Sequence, residues 1–283
     1  MSISLPTCFL HIGMPKTGTS SIQESLGNAN LDNWGTYCKV TKSHNQTGAF
    51  CTMFLSKPEK FHANVKRSLS LEEITTIRKD YRLSLQDILK KSCKKNLIIS
   101  AEGLFHVDKD GLDDLLNFIS EFYKKVIVIC YIRPPASYLS SSFQQTLKSR
   151  DVFTLDLERE YPFYRKKLAK FEAVFGKDAI NYILFDKKTL KNADVVQDIC
   201  ATIGIDYALI NARHTNESLS REASSLLFTY RKQGGLFGTG KEAMLKNKLM
   251  IEKLGELRGS KLTFCSDLIQ PILNKNADDI AWM

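Results

Sequence analysis

Residues 11–21 read "HIGMPKTGTSS": two glycines five positions apart, a lysine between them, and three hydroxyl side chains in a row. A strand, a glycine loop and a helix start in this order collect anions, because unspent N–H groups and the positive end of the helix dipole converge on one spot. Pro15, Lys16, Thr17, Gly18, Thr19, Ser20 and Ser21 are therefore the expected bed for a phosphate-type group. An ATP-binding loop needs G-x-x-x-x-G-K-[ST]; Gly13 and Gly18 keep its glycine spacing, but Thr19 stands in the lysine's place. The anion cradle survives that comparison, while the NTPase reading loses its key cation.

Three further groups carry chemistry. Arg133 ends the apolar run "KVIVICYI", and Ser141 follows eight residues on, so a guanidinium fork and a hydroxyl donor can meet one phosphate. Glu102 stands one residue past the apolar run "NLIIS" and suits a general base if burial raises its pKa; its plainer role is an acid at a helix start. His106, four residues beyond, can assist or replace it, whereas His11 inside the first strand suits a structural role. Arg231 and Lys232, at the head of a glycine-rich stretch (231–243), either close over an anion or place cations at a helix end. No G-x-S-x-G elbow, C-x-x-C pair or His/Cys cluster occurs, so neither a covalent nucleophile nor a metal is expected.

The elements that must position these residues follow from periodicity. Apolar runs at 8–12, 96–100, 125–132 and 180–185 read as buried parallel strands, and helical patterns fall at about 19–28, 71–93, 111–124, 135–149, 159–175, 188–203, 219–232 and 241–258. Strands alternating with helices predict a three-layer α/β fold, a P-loop-like parallel β-sheet flanked by helices. No linker or repeat divides the 283 residues, which reads as one domain, with 231–283 a helical and loop extension. Residues 30–68 are the least regular and, with 231–243, are candidate walls for a second substrate, Trp34, Tyr37, Phe50, Phe54 and Phe237 included.

The apolar fraction of 43% and charged fraction of 25% are those of a globular protein, and seven scattered cysteines read as free thiols. No eighteen-residue apolar run or signal segment is present, so no membrane span and a cytoplasmic location are expected. The net charge of +9 favours anionic partners. A nucleic-acid surface would interleave basic and aromatic residues along one stripe, and none is found, which ranks a non-enzymatic polyanion binder lower.

"PKTGTSS" resembles the 5′-phosphosulfate loop of sulfotransferases that use 3′-phosphoadenosine 5′-phosphosulfate (PAPS), and "HIGMPKTGTSSIQ" is most similar to bacterial members. "YIRPPASYLSSSFQQ" resembles the family's 3′-phosphate motif, and the likeness extends through "INYILFDKKTLKNADVVQDICATIGI" and "ARHTNESLSREA", roughly residues 5–225. The resemblance implies transfer of a sulfuryl group to a hydroxyl or amine of a small-molecule or saccharide acceptor, with adenosine 3′,5′-bisphosphate (PAP) as product and no metal. It implies that Lys16 stabilises the leaving phosphate and that Glu102 is the base. Ser100 stands where animal members often carry a second lysine, and "RKQGG" is an imperfect match to their C-terminal R-K-G element. A P-loop kinase on the same layered fold and a non-enzymatic polyanion-binding protein are the alternatives.

Overall fold

A computed structural model of the chain describes residues 5–152, 154–213, 218–234 and 240–283, with the backbone alone at Lys241. Its elements run β1 (Thr7–His11), α1 (Thr19–Gly27), β2 (Gly35–Tyr37), α2 (Thr47–Phe54), α3 (His62–Lys66), α4 (Leu71–Ser92), β3 (Asn96–Ser100), α5 (Lys109–Ser120), β4 (Lys125–Ile132), α6 (Pro135–Ser149), α7 (Tyr164–Phe175), β5 (Ile180–Leu184), α8 (Val195–Ile203), α9 (Arg221–Lys232), α10 (Gly240–Gly255), α11 (Ser266–Lys275) and α12 (Ala277–Trp282). The chain forms two compact units, residues 1–132 with 165–213, and residues 133–164 with 214–283.

The first unit is α/β. Its five strands lie in the order β2-β3-β1-β4-β5, every neighbouring pair parallel. β1 is buried along its whole length, as a central strand covered on both faces must be. Alternate residues serve opposite faces. Phe9, Ile98, Ile129 and Tyr131 pack with Ile22 and Leu26 of α1 and with Val196, Ile199 and Ile203 of α8. Cys8, Leu10, Leu97, Ile99, Val128 and Cys130 point the other way and are equally buried. There Tyr123, just after α5, donates its hydroxyl to Ser92 of α4 (3.0 Å).

The second unit is helical. Phe143 and Leu147 of α6 pack with Leu219, Ala223, Leu227 and Leu262 in one core, and Leu139, Leu157, Tyr161, Ile269 and Ile272 form another. Glu160 accepts hydrogen bonds from the hydroxyls of Ser142 and Thr146, which compensates its burial. An antiparallel bridge pairs Ser220 with Lys261.

The four strands and the layered class read from periodicity are present as β1, β3, β4 and β5. Residues 30–68 are more regular than expected. β2 is three residues long, and α2, "TGAFCTMF", is apolar on nearly every side, so neither presents a period to read. The helix expected at 188–203 starts only at Val195, where Asp194 caps it by accepting from the Val196 amide (2.8 Å). The helix expected from 159 starts at Tyr164, just past Pro162, which cannot donate to a helical ladder. α11 and α12 lie in the last stretch, beyond the helical patterns legible from periodicity. No described helix is long and apolar enough to cross a membrane, and all seven cysteines are free.

Gly35 sets the edge of the sheet, because a Cβ there would fall 2.0 Å from the Asn96 carbonyl oxygen. Gly35→Ala is expected to cost about 1–3 kcal/mol by forced displacement. It should also unprotect the Cys38 amide, which donates to Ile98 (2.8 Å). Denaturant unfolding and amide exchange measure both, and an unchanged midpoint would contradict this account of β2.

Candidate functional site

β1 delivers the glycine loop and β3 delivers Glu102 to the same edge of the first unit. In register, His11 pairs with Ser100 on one side and Ile129 on the other. The pairing continues past the strand ends: Ala101 N–H donates to the His11 carbonyl (3.0 Å), and Ile12 N–H to that of Ile129 (3.0 Å). β1 has earlier-paired strands on one side and β4 on the other, so it stands at the topological switch point, where open parallel sheets bind ligands.

The loop is held by backbone geometry rather than by side-chain caps. Gly18 is the N-cap of α1 at φ 75°, with no side chain bonded across the first turn. A Cβ there would meet Val195 Cγ1 at 2.7 Å as well as the left-handed strain. The first ladder bond runs from Ile22 N–H to the Gly18 carbonyl (3.1 Å), so the amides of Thr19, Ser20 and Ser21 precede it and point out of the helix start. Thr17 is buried and donates its hydroxyl to the Met14 carbonyl (2.6 Å), tying the loop to itself. Lys16 takes φ 68°, which costs a residue with a Cβ about 1–2 kcal/mol.

Beneath the loop lies a buried polar chain. His11 Nδ1 is 2.8 Å from Ser100 Oγ, which also accepts from Gln23 Nε2 (3.2 Å). Burial lowers the His11 pKa to about 4, so the imidazole is neutral and its place is structural. Among the described residues, His11 Nε2 and Thr19 Oγ1 are buried without hydrogen-bond partners. Both lie against Gly13, where a Cβ would meet Thr19 Oγ1 at 2.6 Å and His11 Nε2 at 3.2 Å.

Glu102 opens a 3-10 helix, Glu102–His106, that follows β3. The Gly103 amide donates to Thr47 Oγ1 (2.9 Å), which anchors this turn to α2. Desolvation pushes the Glu102 pKa up to about 7, against a smaller downward pull from the positive charge of Lys16. His106 is exposed at the other end of the turn, and desolvation with the charges of Lys170, Lys167 and His62 lowers its pKa.

In the second unit, Arg133 directly follows β4, and its Nε donates to Ser137 Oγ (3.2 Å). The Tyr164 hydroxyl donates to the Arg133 carbonyl (2.5 Å), fixing the backbone that carries the guanidinium. Arg133, Ser137, Ser140, Ser141 and Gln144 line a cavity of about 300 Å³ with Lys261, Thr263 and Phe264. Arg133 and Ser141 thus share a pocket. Arg231 does not line it: it is 1% exposed and donates to Asn247 Oδ1, beside the Tyr230 ring. Lys232 is exposed at the end of α9. Residues 235–239, with Phe237, and His214 lie outside the described residues.

Sequence reading missed Ser137, although its i, i+4 spacing from Arg133 was a visible signal. Lys261 and Thr263 gave none, since more than a hundred residues separate them from Arg133. A larger groove of about 420 Å³ runs along α4 past Arg82, but that arginine already pairs with Asp114 (2.7 Å) and lies over the Phe54 and Phe118 rings.

Because the fold raises the Glu102 pKa from an ordinary 4.5 to about 7, its ionisation opposes folding. The contribution is intact below pH 4.5 and lost as pH rises through 7. Glu102→Gln should therefore stabilise the protein at pH 8 by about 1–3 kcal/mol and leave it unchanged at pH 4. Paired denaturant titrations check this, and equal effects at the two pH values would contradict it.

No family model matches the chain. Over 113 residues, 39% of this chain, it is 25% identical to an uncharacterized protein of Archaeoglobus fulgidus, and the match spans 30% of that protein's length. Among solved structures it is similar to a sulfotransferase from Alicyclobacillus acidocaldarius, at 14% identity, covering 86% of this chain and all of that one, with a TM-score of 0.43. It is also similar to the sulfotransferase domain from the curacin biosynthetic pathway, at 12% identity over 96% and 98% of the two chains, TM-score 0.39. A third likeness, at 12% identity over 98% and 82%, TM-score 0.33, is to retinol dehydratase in complex with androsterone and inactive cofactor PAP.

Proposed function

We propose that this chain is a sulfotransferase that moves the sulfuryl group of PAPS to a hydroxyl or amine of a small-molecule or saccharide acceptor. The observation that carries the reading is a carboxylate tuned to about 7 at the end of β3, under the charge of a loop lysine at the end of β1. A base near neutral pKa is half-ionised at physiological pH and still strong enough to take a proton. An uncapped helix start with two glycines at its mouth fits the 5′ end of the donor. Lys16 and the amides of Thr19, Ser20 and Ser21 would hold that end, with Pro15 and Thr17 shaping the loop. Arg133 and Ser141 line a pocket of the size and polarity for a phosphate and part of a nucleoside, and would hold the 3′ end.

When bound, the donor supplies an activated sulfur attached through oxygen to a good leaving phosphate. Glu102 takes the proton of the acceptor hydroxyl or amine as that oxygen or nitrogen bonds to sulfur. Lys16 offsets the charge that gathers on the phosphate oxygen, as cations do in phosphoryl transfer. Ser100 donates no positive charge here; its hydroxyl is spent on His11 and Gln23. Desolvation, with the charges of Lys170, Lys167 and His62, disfavours protonation of His106, which suits a neutral assistant rather than the principal base.

PAP at a hundred times its dissociation constant should stabilise the protein by about 2.7 kcal/mol, a shift of several degrees in Tm. If PAP gives no shift while ATP with magnesium does, the kinase reading replaces this one. Arg133→Ala should weaken PAP binding about ten-fold or more, as loss of a charge-assisted bond implies. Glu102→Gln should bind PAP normally and lose about 10²- to 10⁴-fold in turnover. Turnover of the wild-type enzyme should rise with pH through about 7 and flatten above it.

A further inference from the structure

Two hydrogen bonds tie the start of α2 to the backbone on either side of Glu102. Gln46 N–H donates to the Ser100 carbonyl (3.1 Å), two residues before the carboxylate, and Thr47 Oγ1 accepts from the Gly103 amide (2.9 Å), one residue after it. Ala101 N–H meanwhile donates to the His11 carbonyl (3.0 Å), so β1 holds the residue before Glu102 and α2 holds the residue after. Both α2 partners are themselves fixed. Gln46 is fully buried; its Oε1 accepts from the Thr41 amide (3.1 Å), and its Nε2 donates to the Ser43 carbonyl. Thr47 N–H donates to Asn45 Oδ1 (2.9 Å).

The approach of α2 is close enough to dictate the residue that follows Glu102. A Cβ on Gly103 would lie 2.3 Å from Thr47 Cγ2 and 3.2 Å from Cys51 Sγ, so a glycine is needed for the turn to lie against α2. Cys51 Sγ also donates to the Gly103 carbonyl (3.4 Å). Gly103 is buried, and a buried amide stripped of its acceptor bears the full desolvation penalty unless the turn moves to reach water.

α2, "TGAFCTMF", brings no formal charge to this contact. Its titratable group here, the Cys51 thiol, is pushed up to about 12 by desolvation, against a smaller pull from Lys170, and stays neutral. Lys16, from the loop after β1, is the charge that reaches Glu102, and His11 of β1 is neutral. His106, on the same turn, has its protonation disfavoured by desolvation and by neighbouring positive charges. The hold of α2 on the turn is therefore one of shape and hydrogen bonding, and a change at Thr47 alters where the carboxylate sits without altering the charges around it.

We infer that Thr47 is a positioning residue for Glu102: its hydroxyl oxygen, acting through the Gly103 amide, keeps the carboxylate in the desolvated place from which it takes the acceptor's proton. This rests on the sulfotransferase reading for the role of the base and extends the base's support to α2.

The test is a carbon-13 NMR titration of the glutamate carboxyls, with the Glu102 resonance identified by its loss in Glu102→Gln. In the wild type Glu102 should titrate at about 7. Thr47→Val keeps the shape and removes the acceptor, so the Glu102 pKa should fall by about one unit or more toward its ordinary 4.5. Thr47→Ser keeps the oxygen and should hold the value at about 7. Gly103→Ala, which pushes the turn off α2, should lower the pKa as Thr47→Val does; Thr47→Ser in the same chain should restore it, because serine lacks the methyl that the new Cβ would strike. PAP should raise the Tm equally in every variant, which shows each one folded with its loop intact. If PAP raises the Tm of none, wild type included, the donor reading fails and the role of the base goes with it. If PAP acts equally on all but the Glu102 pKa stays put in Thr47→Val, or moves as far in Thr47→Ser as in Thr47→Val, the inference alone is overturned and Thr47 is merely an anchor.

Discussion

The parallel pairing of β1 with β3 and β4 is the constraint on which the candidate site depends. It fixes His11 beside Ser100 and Ile129, and the flanking backbone bonds from Ala101 and Ile12 carry that register one residue beyond the strand. A slip by one residue would turn every side chain to the opposite face. His11 would leave its bond to Ser100, and Glu102 would lose its position beside the loop that bears Lys16. The sheet therefore does two tasks at once, burying Phe9, Leu10, Ile98 and Ile99 in opposite cores and presenting the ends of two strands side by side.

What the sheet presents is held at a cost. Lys16 sits in a left-handed backbone that a glycine would adopt freely, and Glu102 is desolvated enough to shift its pKa by more than two units. Neither feature favours folding, and both are kept in place by structure that is already paid for in packing. Strain and burial are concentrated at one sheet edge, beside a helix start without a capping side chain, where the proposed site lies. Lys16 limits the shift at Glu102 without erasing it.

Much of this was legible in the sequence because it is local. The strand, glycine loop and helix start around Lys16 are consecutive residues, and Glu102 and Arg133 each follow a readable apolar run. The pairing of Arg133 with Ser141 followed from helical spacing once a strand end and a helix start were assigned. β2 was hidden because three residues show no alternation, and α2 because its surroundings bury it on nearly all sides. Lys261 joins the Arg133 cavity through an antiparallel bridge with Ser220, a contact no spacing rule encodes.

The central claim is that the Lys16 loop, with the helix start it leads into, holds the 5′-phosphate end of the proposed nucleotide. Phosphorus NMR of PAP at saturating protein tests it directly, since the 3′- and 5′-phosphates give separate resonances. The account predicts that both resonances shift with the wild-type chain, and that Lys16→Ala changes the 5′ shift while the 3′ shift is kept. A 5′ resonance that moves identically with Lys16→Ala and wild type would contradict it.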